Sequence, residues 1–261
     1  LTGQVQVDGE VDWLTPGTYS VTYTVTDGYE NTTTATRTVE VKAVPRPEVV
    51  WPEGKVIYLT FDDGPGPYTE QLLDVLDSYG VKATFFVTNR GYGEMMKEIV
   101  DRGHSIGIHT MSHVYERIYA SPEAYFADLL GMQDVIYQNT GVKTTLMRFP
   151  GGSSNTVSRQ YSVGIMSRLA QRVQAEGFTY FDWNVSSGDA AGTPASSGQI
   201  YNNVTSALRH DRSNVVLMHD AGAKGTTADA LPDIIRYCLA NGYSIQPITP
   251  ATKPVHHGIA N

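Results

Sequence analysis

Apolar and polar positions change rhythm once along this chain. In residues 1–43, Val21, Tyr23 and Val25 alternate with Thr22, Thr24 and Thr26, and Val39 and Val41 repeat the pattern. A period of two is that of a strand with one face in water. Asp27-Gly28-Tyr29-Glu30-Asn31 lies between the runs and predicts a hairpin turn, and Pro16-Gly17 marks an earlier one. The segment carries no titratable cluster that could do chemistry. Residues 44–53 hold Pro45, Pro47 and Pro52, a stiff linker that sets a boundary.

From residue 54 to 261 the pattern becomes strands alternating with helical spacing. Apolar runs predict strands at 56–61, 83–87, 105–109, 146–149, 180–183, 215–218 and 244–248. Leu72, Leu73 and Leu76 predict a helix over 68–79, and further helical spacing covers 94–100, 161–176, 198–209 and 229–240. Ser121-Pro122-Glu123 has the cap and first-turn proline of a long helix that Gly141 would end. About seven strand-then-helix units predict an α/β fold, a distorted parallel (β/α) barrel, preceded by a small all-β unit.

Composition narrows the function. Hydrophobic residues are 41% and charged ones 18% of the 261 residues, an ordinary globular balance. The net charge of −8 argues against a nucleic-acid partner, which basic surface would attract. The single cysteine, Cys238, forms no internal disulfide or thiolate cluster, so a metal site must use His and carboxylates. No apolar run approaches the ~18 residues of a membrane span. A start at Leu1 is expected of a mature or trimmed chain, from which a signal segment would be absent.

In parallel barrels the reactive residues gather where strands end. Here the strand ends read Asp62-Asp63-Gly64-Pro65, His109-Thr110-Met111-Ser112-His113, Arg148-Phe149-Pro150-Gly151-Gly152, Asp182-Trp183 running on to Asp189, and Leu217-Met218-His219. Adjacent carboxylates repel unless a cation neutralises one, which would leave the other as a base; a turn or cap pair is the alternative. His109 and His113 are four apart, and on a helical turn they would face the same metal ion. Two imidazoles and one carboxylate suit a catalytic Zn²⁺ or related divalent ion. Arg148 at a strand end needs a carboxylate and could fix Asp62 as an ionised base. A glycine N–H at Gly151-Gly152 could stabilise an oxyanion, with a plain turn as the competing account. His219, after a buried run, is either a general acid or a satisfied core histidine.

These elements in this order resemble the polysaccharide deacetylases of carbohydrate esterase family 4, the NodB-homology domain, over residues 54–250. TFDDGP carries the resemblance most specifically, with HTMSH, RFPGG and LMH in support. The stretch PGTYSVTYTVTDGYENTTTATRTVEV resembles the last strands of a bacterial surface immunoglobulin-like module; a hairpin packed on the next domain is the alternative. The family resemblance implies that Asp62 is the general base for the attacking water, that Asp63, His109 and His113 hold the metal, and that Arg148 orients Asp62. It implies His219 as the acid, Leu217 against the acetyl methyl, and the Gly151 N–H as oxyanion donor. Many relatives have a Trp followed six residues on by Asp-Trp, the Asp tethering the acid. Trp183 leads to Asp189 at that spacing, but Ala190 replaces the second Trp. Asp189 is therefore the expected tether, with Asp182 second. Gly151 stands where many relatives have Tyr.

The function expected is metal-dependent removal of acetyl from N-acetylglucosamine in cell-wall peptidoglycan, with Zn first and Co, Ni or Mn as alternative ions. The YFDWN and SSGDA stretches are similar to those of Firmicutes cell-wall deacetylases. Chitin, poly-N-acetylglucosamine and acetylated xylan are alternative substrates, and a non-catalytic surface carbohydrate-binding protein is the alternative of another class. The expected partner is polysaccharide at the cell surface or wall, with the oligomeric state open. His104 is expected to support a loop, His256-His257 to be a chance pair, and Cys238 to be a small core residue.

Overall fold

A computed structural model of the chain describes residues 5–12, 15–43, 48–49, 54–190, 192–222 and 224–261. Pro45, Pro47 and Pro52 of the expected linker lie outside the described residues. The chain divides into two compact units, the smaller at its N-terminal end.

In the N-terminal unit, β1 (Val5–Asp8), β2 (Gly17–Thr26) and β3 (Thr32–Val41) form an antiparallel sheet in that order. β2 and β3 pair in unbroken register from Gly17↔Val41 to Thr26↔Thr32. The Asp27 carboxylate accepts from the backbone N–H of Tyr29 at 2.8 Å and of Asn31 at 2.9 Å, closing the turn locally. The predicted hairpin is present. The third strand, β1, has four residues, too few for its alternation to register against the surrounding polar sequence.

The larger unit is built on β4 (Val56–Asp62), β5 (Thr84–Val87), β6 (Ser105–Ile108), β7 (Leu146–Met147), β8 (Thr179–Tyr180), β9 (Val185–Ser186), β10 (Asn214–His219) and β11 (Ser244–Ile245). The sheet order is β8-β7-β6-β5-β4-β10-β9, with β11 also on β4, and every pairing in it is parallel. The expected strand at 180–183 is in fact split. Its N-terminal part, β8, pairs with β7, while β9 pairs with β10 on the opposite side of the sheet. β8 and β9 do not pair with each other, so the sheet curls into a half-barrel of seven chain passes.

β4 is buried along its whole length, and its two faces meet different neighbours. Ile57, Leu59 and Phe61 join the large apolar layer under the helices. Val56 and Tyr58 instead meet Phe86, Leu146, Phe181, Val215 and Ile248 inside the curl. The period-two alternation then carries the inner face from apolar Tyr58 to polar Thr60 and Asp62. The same step runs from Leu146 to Arg148, and from Val215 past Leu217 to His219. Gly107 leaves room on this face: a Cβ there would stand 2.6 Å from the Phe86 ring.

Helices cover the outer face. α1 (Thr69–Ser78) buries Leu72, Leu73 and Leu76, each contributing about 1.5–3 kcal/mol on removal from water. α2 (Gly93–Asp101) buries Met96 and Ile99, and the single turn α3 (Tyr115–Ile118) precedes α4 (Pro122–Thr140). As predicted, Ser121 caps α4 by accepting from the Ala124 N–H, and Gly141 ends it at φ 74°. α5 (Ile165–Ala175), α6 (Ser197–Ala207) and α7 (Gly225–Ala240) follow, with Cys238 buried in the core. None of the described helices is long and apolar enough to cross a membrane.

His256 and His257 are not a chance pair. The His256 ring stacks on Tyr180 at 3.8 Å, and His257 Nε2 donates to the Trp183 carbonyl at 2.6 Å. The Asp182 N–H donates to Val255 O, and the Asp182 carboxylate accepts from the His257 N–H and from both the N–H and hydroxyl of Ser153. Asp182 therefore clasps the tail to the loop after β7, a pairing across 75 residues of chain that no local pattern announces. Asp182→Ala would leave three donors without their acceptor, and a loss of about 3 kcal/mol is expected. Urea unfolding measures that loss, and amide exchange at residues 255–257 should accelerate alongside it.

Candidate active site

The polar ends of the inner-face positions converge at one end of the curl. Asp62 and His219 are register partners on adjacent strands β4 and β10, so their side chains stand together. Arg148, with no exposed surface, reaches Asp62 from the end of β7. Its Nη1 donates to Asp62 Oδ1 at 2.8 Å and to the Thr60 hydroxyl at 2.7 Å, and its Nε donates to Phe181 O at 2.8 Å. The guanidinium also lies 4.4 Å over the Phe86 ring. A buried cation with this many partners fixes Asp62 Oδ1 and leaves Oδ2 free.

Asp63 turns the other way because its backbone is left-handed, φ 72°. Arg90 Nε and the Thr88 hydroxyl donate to its carbonyl and hold that turn. His109 Nε2 lies 3.5 Å and His113 Nε2 3.3 Å from Asp63 Oδ1. His109 Nδ1 donates to the Arg148 carbonyl at 3.0 Å, which leaves Nε2 with its lone pair toward Asp63. The two histidines do not share a helical turn, contrary to the spacing argument. They flank a loop that bends through positive φ at Thr110, 123°, and His113, 53°. Asp128 on α4 shapes that loop by accepting from the N–H groups of Met111 and Ser112 and from the Ser112 hydroxyl.

One donor atom each from Asp63, His109 and His113 lies within 4.8 Å of the others. Asp63 Oδ1 is out of water and accepts no hydrogen bond. A buried carboxylate oxygen faced by two imidazole lone pairs calls for a cation, and this O,N,N set fits a divalent ion of the zinc type. Burial alone would push Asp63 up, yet His109, His113, His219 and Arg90 hold its carboxyl below the usual range. Burial and His109 push the His113 imidazole down, so it stays neutral and able to ligate.

His219 is joined to Asp189, not to Asp182, which is committed to the tail. Asp189 Oδ1 lies 2.7 Å from His219 Nδ1, and its Oδ2 accepts from the His219 N–H at 2.8 Å and the Thr227 hydroxyl at 2.9 Å. Lys224 Nζ donates to the Asp189 carbonyl at 2.6 Å. Burial works against a charged His219, but Asp189, Asp62 and Asp63 together raise it above the ordinary imidazole value. Asp189 is in turn held low by His219 against the effect of burial. Next to this pair, Asp220 donates its N–H to Asp62 O, and burial pushes its carboxyl up to about 7. Its Oδ2 accepts from Thr69 and packs on Gly64, where a Cβ would come within 2.5 Å.

Gly151 and Gly152 both sit at φ 76°, and the Gly151 N–H has no acceptor among the described residues. Trp183 supports this turn from behind: a Cβ on Gly152 would stand 3.0 Å from its ring, which also abuts His257. Leu217 is buried yet belongs to neither apolar cluster, as its inner-face position beside Ser186 and Thr60 requires. Ala190, in place of an aromatic, is exposed. Asp128, Thr88, Lys224, Thr227 and Asp220 were not anticipated. Each acts by a hydrogen bond from a distant element, which no local pattern announces.

The half-barrel thus carries two His-carboxylate centres at one end, a candidate cation site and a hydrogen-bonded His-Asp pair. Residues 51–165 match the polysaccharide deacetylase family, and residues 1–41 match the bacterial surface protein Ig-like domain. A peptidoglycan-N-acetylglucosamine deacetylase of Bacillus cereus is 33% identical over 202 residues, 74% of this chain and 69% of that protein. The catalytic domain of peptidoglycan N-acetylglucosamine deacetylase from Eubacterium rectale superposes with a TM-score of 0.80 at 49% identity, over 82% of this chain and 98% of that one. A Streptococcus mutans CE4 esterase gives a TM-score of 0.64 at 30% identity, over 76% of this chain and 87% of that one. The chain belongs to the polysaccharide deacetylase family, carbohydrate esterase family 4, with an immunoglobulin-like segment at its N-terminal end.

Equilibrium dialysis against Zn²⁺ is expected to yield one ion per chain, with Asp63→Ala and His113→Ala each weakening it on the order of 100-fold or more. Undiminished zinc binding by both variants would remove this triad as the site.

Proposed function

We propose that this chain hydrolyses the N-acetyl group of N-acetylglucosamine residues in peptidoglycan at the cell surface, releasing acetate and leaving a free amine. The observation that carries it is the unpartnered, buried Asp63 oxygen facing His109 and His113, in the same site as an Arg148-held Asp62 and an Asp189-held His219. The peptidoglycan deacetylases among its relatives and the match to a surface Ig-like domain support the polymer and the location.

A divalent ion, zinc by donor type, held by Asp63, His109 and His113 would supply a Lewis acid for the amide carbonyl and acidify water towards a pKa of ~7. Asp62 then takes a proton from the attacking water. Because Arg148 occupies Oδ1, the proton is received at Oδ2, which faces His109 Nε2 at 3.9 Å. The Gly151 N–H donates to the carbonyl oxygen as negative charge grows on it. An amine leaves poorly as an anion, so nitrogen must be protonated as the C–N bond breaks. His219 supplies that proton from Nε2, since Nδ1–H is committed to Asp189. Leu217, on the inner face beside His219, fits against the acetyl methyl. Water is thus split across the C–N bond, giving acetate and a protonated amine.

Asp62→Asn should keep the metal but lose acetate release from peptidoglycan by about 10²–10⁴-fold, the usual worth of a positioned base. Chitin, poly-N-acetylglucosamine and acetylated xylan run in the same assay rank the competing polymers. No acetate from any of them by the zinc-loaded chain would instead favour a binding protein. The acid must be protonated, so kcat should hold below the raised His219 pKa and fall as pH rises through it. Asp189→Asn removes the main groups that raise it and should move that alkaline limb to lower pH; a limb that does not move would exclude the pair as the acid.

A further inference from the structure

At Gly151 a side chain is missing, and the space it would enter is taken. A Cβ there would stand 2.7 Å from the hydroxyl of Tyr115 and 3.3 Å from Cγ of Asn155. The phenol comes from a different element: Tyr115 opens α3, two residues after His113. Its ring lies tilted against the His113 imidazole at 5.6 Å and edge-on to Tyr119 at 5.3 Å. Tyr119, fully buried, donates its hydroxyl to the Pro150 carbonyl at 2.8 Å, and Asn155 Nδ2 donates to the same oxygen at 3.1 Å. The glycine turn and the Tyr115 ring are therefore locked to one another through Tyr119.

Tyr115 is half-buried, and its hydroxyl makes no hydrogen bond to the described residues and is open to solvent. A phenol is a hydrogen-bond donor at neutral pH. The Gly151 N–H is also without an acceptor, so two residues in near contact each carry a free donor, one of them packed on His113 of the triad. A rigidly held donor with nothing in the protein to receive it is suited to an oxygen that arrives with substrate. We infer that Tyr115 is a catalytic residue whose hydroxyl donates a hydrogen bond, alongside the Gly151 N–H, to the acetamide oxygen as that oxygen gains charge. The inference rests on the amide-hydrolysing function proposed above and assigns it a donor from the histidine loop. It also explains why residue 151 is glycine: any side chain would collide with the phenol as well as strain a φ of 76°.

The test is acetate release from an N-acetylglucosamine tetramer by the full zinc-loaded chain, comparing Tyr115→Phe, Asp62→Asn and the parent. Tyr115→Phe should lower kcat about 100-fold with KM changed less than ~3-fold, the signature of an interaction made only in the transition state. Its Tm and zinc content should match the parent, because the hydroxyl removed has no protein partner. Parental kcat and KM in Tyr115→Phe beside an inactive Asp62→Asn would overturn this inference and leave the proposed function intact. A raised KM with unchanged kcat would also overturn it, moving the hydroxyl to ground-state sugar binding. Full activity in Asp62→Asn would instead bring down the proposed function itself.

Discussion

A guanidinium with no exposed surface stands at the mouth of the half-barrel, and the site is arranged around it. Burying a charge this completely is costly unless every donor finds an acceptor. Arg148 comes close to that condition, with four of its five N–H donors on Asp62, Thr60, Phe181 O and Asp182 O, drawn from β4 and from the stretch between β8 and β9. Its own carbonyl receives His109 Nδ1–H and so sets the tautomer of an imidazole that faces Asp63. One residue thus links the proposed base, one histidine of the triad and the point where the sheet splits. Thr60 extends the link, since its hydroxyl donates to Val216 O on β10, one step from the strand position of Leu217.

Around that centre the backbone is held in shapes that side chains disfavour. Asp63, Thr110 and His113 have positive φ, three of the four non-glycine residues among those described that do. Such conformations cost of order 1–3 kcal/mol each and persist only when neighbours over-determine them. Here the neighbours are identifiable: Arg90 and Thr88 on the Asp63 carbonyl, Thr110 Oγ1 on the His113 N–H, and Asp128 on the loop between the histidines. The glycine turn is held the same way by Tyr119, Asn155 and Asp182. Stability stored in these ties keeps the donor atoms where chemistry needs them.

Four acidic side chains within this small volume are driven to different states. Asp62 is paired with a permanent cation, Asp63 is held low by imidazoles, and Asp189 is held low by His219. Asp220, with one hydroxyl for a partner, is pushed up to about 7 and packs against Gly64. Opposed environments of this kind let one fold present a base and an acid at the same pH.

The period-two alternation of the strands already determined which residues face inward, because successive side chains of a strand must point to opposite faces. Asp62, His109, Arg148 and His219 could be named as one constellation because each follows an apolar strand run, and turn and cap residues made the N-terminal hairpin and the helix α4 legible. Where each loop turned was not. The histidine spacing suggested a helix, yet convergence came from positive φ and Asp128; Asp182 stood second to Asp189 as the partner of His219, yet it holds the tail; His256 and His257 looked incidental, yet they pack where the tail is clasped. Tyr115 carried no signal beside Gly151, because 36 residues separate two groups that nearly touch. Strand faces follow from local geometry alone, whereas loop conformation and hydrogen bonds across the curl exist only once distant segments have packed.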